Sequence, residues 1–206
     1  MDSFSYRNSD LFLRNNFESD NALGIPLIHK QGLPDEDIKL ISYSDTSYKD
    51  VKNIEKGVHF FIDDWRFEKI YDNPEKILKK IGKYKFLLTP DYSLYAEMPL
   101  WRQIENVAKA RYVGAKWQSK GMLVFPTVSW SLSRSYEFCF SGIEKGSIVA
   151  VGMIGCKTTR LNFLRGYEKM LNIIEPEKII VYGKPFKEME GDIIEVDYLE
   201  SRKVLR

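Results

Sequence analysis

The sequence predicts an α/β fold: a mainly parallel sheet of five or six strands flanked by helices, wound either as an open doubly wound sheet or as an incomplete β/α barrel, with an irregular N-terminal arm. Three observations predict it. Apolar runs such as VHFFI, KFLL and KIIVYG are short and do not alternate with polar residues, as expected of strands covered on both faces. Amphipathic stretches at helical spacing follow the runs, and right-handed strand–helix–strand crossovers keep such strands parallel. At 206 residues and 44% hydrophobic content, the chain can bury one sizeable core, which points to a single α/β domain over residues 57–206.

Taken in order, residues 1–56 form the arm, because Gly24, Pro26, Gly32 and Pro34 interrupt any periodicity. Within it GIPLI and IKLISY are each expected to lie extended along the body. VHFFI (58–62) is the first strand. NPEKILKKIG is the next helix, with proline at its start, Ile77, Leu78 and Ile81 on one face and Gly82 at its end. A strand at 85–88 precedes a long amphipathic helix at 99–119. GMLVFPTVSW supplies the third strand, and SRSYEFCFSGI a short helix starting at Ser133 or Arg134. SIVAVGMIG is the fourth strand, TTRLNFLRGYEKMLNII a helix, KIIVYG the fifth strand and 193–196 a last short one.

Composition excludes several classes. Thirty-one basic residues against twenty-nine acidic ones leave a formal charge of +2, so charge does not indicate nucleic-acid binding. The opening MDSFSYRNSD has no signal-peptide pattern, and no apolar run approaches the roughly twenty residues of a membrane span. The expected location is cytoplasmic, with no membrane contact. Two cysteines and two histidines are too few for a Cys/His metal site, so Cys139 and Cys156 are expected to be reduced packing residues. His59 reads as a satisfied core histidine inside an apolar strand. The 14% aromatic content suits a ring-rich core.

In either topology the carboxyl ends of parallel strands share one rim, where ligands bind. The residues that follow the strands are therefore the candidates. Asp63, Asp64 and Asp91 are the candidate catalytic carboxylates: placed together they could hold Mg²⁺ or divide acid and base roles. Capping of helices or turns is the simpler reading of Asp64 and Asp91. Gly155, Lys157 and Thr158 are candidate anion ligands at a strand-to-helix turn, although VGMIGCKTTR fails the phosphate-loop signature: Cys156 replaces the glycine before the lysine, and Val151 stands where the first glycine is needed. Thr127, Ser129, Trp130, Trp65 and Tyr182 complete the candidate ligand-binding set. No G-x-S-x-G surrounds Ser129 or Ser131, which argues against a catalytic serine.

The runs VHFFIDDWRFEKIYDNPEKIL, LLTPDYSLYAEMPLWRQIENV, GAKWQSKGMLVFPTVSW, SYEFCFSGIEKGSIVAVGMIGC and PEKIIVYGK together resemble a family of bacterial and phage proteins described only as a domain of unknown function (DUF4417-like). The resemblance covers roughly residues 57–183. It implies an association with phages and mobile elements, and it brings no activity, cofactor or catalytic residue to transfer.

Three functions follow as expectations. The first is a phage or mobile-element accessory protein that binds a nucleotide or other phosphate-bearing small molecule at the strand ends. The second is a metal-dependent hydrolase or nuclease using Asp63, Asp64 and Asp91. The third is a non-enzymatic interaction protein with a host protein as partner, as in counter-defence. The sequence names no cofactor and no metal ligand set.

Overall fold

The computed structural model describes residues 2–14, 16–33 and 37–202. Among them the strands are β1 (Leu40–Ser42), β2 (Gly57–His59), β3 (Phe86–Leu88), β4 (Val124–Phe125), β5 (Val149–Gly152), β6 (Ile179–Tyr182) and β7 (Ile193–Val196). The helices are α1 (Ser3–Arg7), α2 (Asp10–Leu13), α3 (Pro74–Ile81), α4 (Leu100–Gln118), α5 (Arg160–Ile174) and α6 (Tyr198–Ser201). Short 3-10 turns include Asp64–Arg66 after β2 and Ser133–Glu137 after β4, the latter where the sequence predicts a helix.

Each helix has a local cause. At α3 the Asn73 side chain accepts from the Lys76 amide at 3.0 Å and Pro74 opens the helix, while Lys79 and Lys80 face the negative end of its dipole. The long α4 follows Pro99 and buries Val107, Tyr112, Val113 and Trp117. The Trp117 indole donates to the Pro74 carbonyl at 2.9 Å, which ties α4 to α3. α5 ends at Glu175 in the left-handed conformation (φ 50°), which stops it before β6.

All strand pairings are parallel. β1 to β4 form one four-stranded sheet in sequential order, and β5 to β7 form a second in sequential order. A parallel bridge between Thr127 and Ala150 joins them, with the Val128 amide on the Ala150 carbonyl at 2.8 Å and the Ala150 amide on the Pro126 carbonyl at 2.9 Å. A sequential order has no reversal point, so of the two expected topologies the incomplete β/α barrel describes the chain. Side-chain alternation shows the curl. Leu40, Phe86, Leu88, Phe125, Ile148, Ala150, Ile180, Tyr182 and Val196 share a single inner cluster with Phe61. Ile41, Val58, Leu87 and Val124 face the other way, toward α3 and α4, and Val149, Val151, Ile179 and Val181 face α5. Residues of every strand region can meet in one cluster only if the sheet is concave on that side. The curl stops short of closure, since β1 and β7 both remain sheet edges.

The inner layer leaves no room at Gly57. A Cβ there would lie 2.1 Å from the Phe86 ring. β1, the extra strand relative to the five or six expected, falls inside the predicted arm and pairs with β2 through Leu40–Gly57, Ile41–Val58 and Ser42–His59. Its three residues are too few to show a period, which is why the sequence shows only an extended segment there.

Candidate functional site

Because the strands are parallel, their carboxyl ends open on one face, and a cleft of about 930 Å³ lies there. Six strand regions reach it: Ser42, Ser44 and Asp45 at the end of β1, His59 and Phe61 to Asp64 around the end of β2, Asp91, Ser93 and Tyr95 after β3, Gly152 to Gly155, Lys157 and Thr158 at the end of β5, Tyr182 at the end of β6, and Tyr198, Ser201 and Arg202 after β7. The β4 end contributes beside it. Ser129 and Thr127 line a small recess with Asp91, Tyr92, Asn106 and Arg111.

The polar centre is built around Asp91. Burial and the neighbouring Asp64 carboxylate push its carboxyl up from 3.8 to about 7, and hydrogen bonding from Ser129 together with the Arg111 charge draws it only part of the way back. Asp64 is fixed in turn, accepting from the Ser93 amide at 3.0 Å and the Ser93 hydroxyl at 2.8 Å. Arg111, fully buried on α4, donates to the carbonyls of Ser141 (3.1 Å), Thr127 (3.0 Å) and Cys139 (3.0 Å). Its pKa falls to about 10 through burial, so it stays charged at neutral pH beneath the carboxylate pair. The Cys156 thiol is pushed up to about 11 by burial and then by Asp91, and stays protonated. Two carboxylates of unequal environment, one poised near neutrality, form an arrangement that can exchange a proton with a bound group.

The inner wall is aromatic. The Phe61 and Tyr182 rings stack at 4.9 Å and 11°, and the His59 ring lies 4.4 Å from Tyr182. The Tyr182 hydroxyl shares a hydrogen bond with Ser201 at 3.0 Å. His59 is 1% exposed. Its Nδ1 accepts from the Phe61 amide at 3.2 Å, whereas Nε2 meets no partner among the described residues. The expectation of a satisfied core histidine therefore holds for one nitrogen and fails for the other.

Of the residues singled out from sequence, Asp63, Asp64, Asp91, Gly155, Lys157, Thr158 and Tyr182 line this cleft. Asp63 pairs with Arg66 at 3.4 Å, and among the described residues no group of three His, Cys, Asp or Glu side chains is placed to hold a metal ion. Gly155 adopts φ +78°, and the Thr158 hydroxyl donates to its carbonyl at 3.3 Å. α5 starts only at Arg160, after an open turn, and Thr159 makes no side-chain cap. Thr127 is structural in its contacts, its amide and hydroxyl both bonded to Thr89 at 2.8 Å. Two tryptophans lie outside the cleft lining. Trp65 is 70% exposed with the Arg66 guanidinium 4.5 Å over its ring, and Trp130 packs on Phe163 at 5.0 Å beneath α5.

Sequence reasoning placed Ser93 only within the loop after the second strand and passed over Ser42, Ser44, Asp45, Tyr95, the groups after β7 and Arg111. The SYSD run after IKLI has the same strand-end signature as the others, but the assignment to the arm hid it. Arg111 carries no signal in a helix with charges on several faces.

Residues 17–199 match the family described as a domain of unknown function, DUF4417. The chain belongs to the DUF4417 family. This DUF4417 protein is 34% identical over 180 residues to the Gene 1 protein of Mycobacterium phage L5, covering 84% of the chain and 77% of that protein. It is 36% identical over 131 residues to the Gene 1 protein of Mycobacterium phage D29, covering 62% of the chain and 48% of that protein. No solved structure matches it. Among the described residues no helix is long and apolar enough to cross a membrane.

Proposed function

We propose that this phage-related DUF4417 protein binds a phosphate-bearing small molecule of nucleotide size in the strand-end cleft. The observation that carries the reading is the convergence of six strand ends on a space of about 930 Å³, within the range of small-molecule sites. Its groups divide by chemistry. Lys157, Arg66 and Arg202 and the Thr158 hydroxyl suit an anionic end. Asp45 and Asp63 accept hydroxyls, and the nearly buried Phe61 and Tyr182 rings form an apolar wall. The test is thermal shift and titration calorimetry with orthophosphate and a panel of nucleoside monophosphates. Binding by wild type that weakens at least about tenfold in Lys157→Ala supports the reading; a protein that binds neither phosphate nor any nucleotide overturns it.

A second reading has its own observation. The Asp64–Asp91 pair, with Asp91 near pKa 7, favours an enzyme that moves a proton on the bound molecule. The carboxylate arrangement fits acid–base work better than a shared metal, because Asp63 turns to Arg66 and Asp64 to Ser93. A nucleotide that binds Asp91→Asn as tightly as wild type but is turned over only by wild type would support this reading. Equal turnover by both would remove it.

A further inference from the structure

We propose that His59 is the floor of this cleft and that its Nε2–H donates to a hydrogen-bond acceptor on the innermost part of the bound molecule. The proposal rests on the strand-end cleft reading and deepens it. His59 ends β2 inside the inner layer and lines the cleft. Nδ1 accepts from the Phe61 amide at 3.2 Å, so the proton of the neutral ring sits on Nε2. That atom is buried and has no partner among the described residues. Buried polar groups in folded proteins are paired in the great majority of cases, and an orphan destabilises the fold unless something else meets it.

The surroundings define what can meet it. Burial holds the ring neutral, with its pKa lowered to about 3, so it offers a single donor and no charge. The Tyr182 ring lies 4.4 Å from it and the Phe61 ring 5.6 Å, so the group that reaches the floor is bounded by apolar ring atoms. A carbonyl oxygen or ring nitrogen at the edge of a flat heterocycle satisfies both conditions; an ammonium or guanidinium carries only donors and cannot accept from Nε2–H. The cations Lys157 and Arg202 belong to the exposed surface of the cleft, so the phosphate stays outward and the heterocycle points in.

His59→Phe removes the donor and keeps a ring of similar size. Two readouts are taken from it. Without ligand, His59→Phe also unpairs the Phe61 amide from Nδ1, so its melting temperature serves only to show that the variant is folded. With ligand, the affinity of the tightest nucleoside monophosphate drops about tenfold while that for orthophosphate is unchanged. An unchanged nucleotide affinity in His59→Phe overturns the floor assignment and leaves the cleft reading intact, whereas a wild type blind to phosphate and nucleotides alike overturns the cleft reading first. If His59→Phe does not fold, the wild type suffices. With only two histidines in the chain, ¹⁵N-histidine spectra resolve His59, whose Nε2–H resonance shifts when an acceptor of a saturating nucleotide accepts from it and stays fixed if the proposal is wrong.

Discussion

Replacing Asp91 by asparagine isolates the feature on which the acid–base reading depends. Asparagine keeps the size and can still accept from Ser129, but it does not titrate. The carboxyl is raised from 3.8 to about 7 in the fold by burial and by Asp64, so the folded state binds its proton more tightly than the unfolded chain. Stability contributed by this group is therefore greatest when it is protonated in both states, falls as pH rises from about 4, and levels off above about 7. Integrated over that linkage, the wild type loses about 2.6 kcal/mol between about pH 5 and about pH 8. Asp91 retains some surface in the cleft, and solvent there screens the charge and brings the expected loss to about 1–2 kcal/mol. The assay is urea unfolding of both proteins at the two pH values. The change in the difference between the two proteins reports Asp91: from about pH 5 to about pH 8 the asparagine protein gains on the wild type by about that amount. A difference that is flat in pH shows an ordinary carboxylate, and the proton-exchanging pair disappears with it.

Two further predictions concern packing and reactivity. Gly57→Ala places a methyl 2.1 Å from the Phe86 ring and is expected to cost about 1–3 kcal/mol in urea unfolding, with a smaller effect if the inner layer can shift. Burial raises the thiols of Cys139 and Cys156 to about 12 and about 11, so iodoacetamide near pH 8 should modify both cysteines rapidly in denaturant and neither at a comparable rate in the folded protein, as read by mass spectrometry.

The fold was legible where residues carry a period or a stop. Asn73-Pro74 and the spacing of Ile77, Leu78 and Ile81 define α3, and the unbroken apolar runs KFLL and KIIVYG define β3 and β6. β1 was not legible, because three residues between polar neighbours cannot display alternation and its pairing with β2 is a long-range event. The site was legible as a rim and not as a constellation. Parallel strands oblige Asp64, Asp91 and Lys157 to share a face, but which of them touch depends on loop paths that no local pattern encodes. Trp130 shows the limit: its position after β4 is that of a rim residue, yet Gly166 on α5, whose Cβ would fall 2.1 Å from the indole nitrogen, leaves a notch that the ring fills. Only the pair of positions, 36 residues apart in the chain, carries that information.

The curl of the sheet also couples the core to the cleft. Phe61 and Tyr182 belong to the inner cluster that holds the strands together, and the same two rings flank His59 at the bottom of the open end. In a closed barrel the inner layers would be filled and the site confined to the loops above them. Here β1 and β7 do not pair, and α6 lies against β1 with Tyr198, Ser201 and Arg202 reaching the cleft. A molecule seated on His59 would touch residues from both sheets at once, so its binding energy would bear directly on the parallel bridge at Thr127 and Ala150 that joins them. Ligand that binds only the folded state stabilises it by mass action. For this architecture the stabilisation should appear first as slowed amide exchange at Val128 and Ala150, the two donors of that bridge, ahead of any change in α3 or α4.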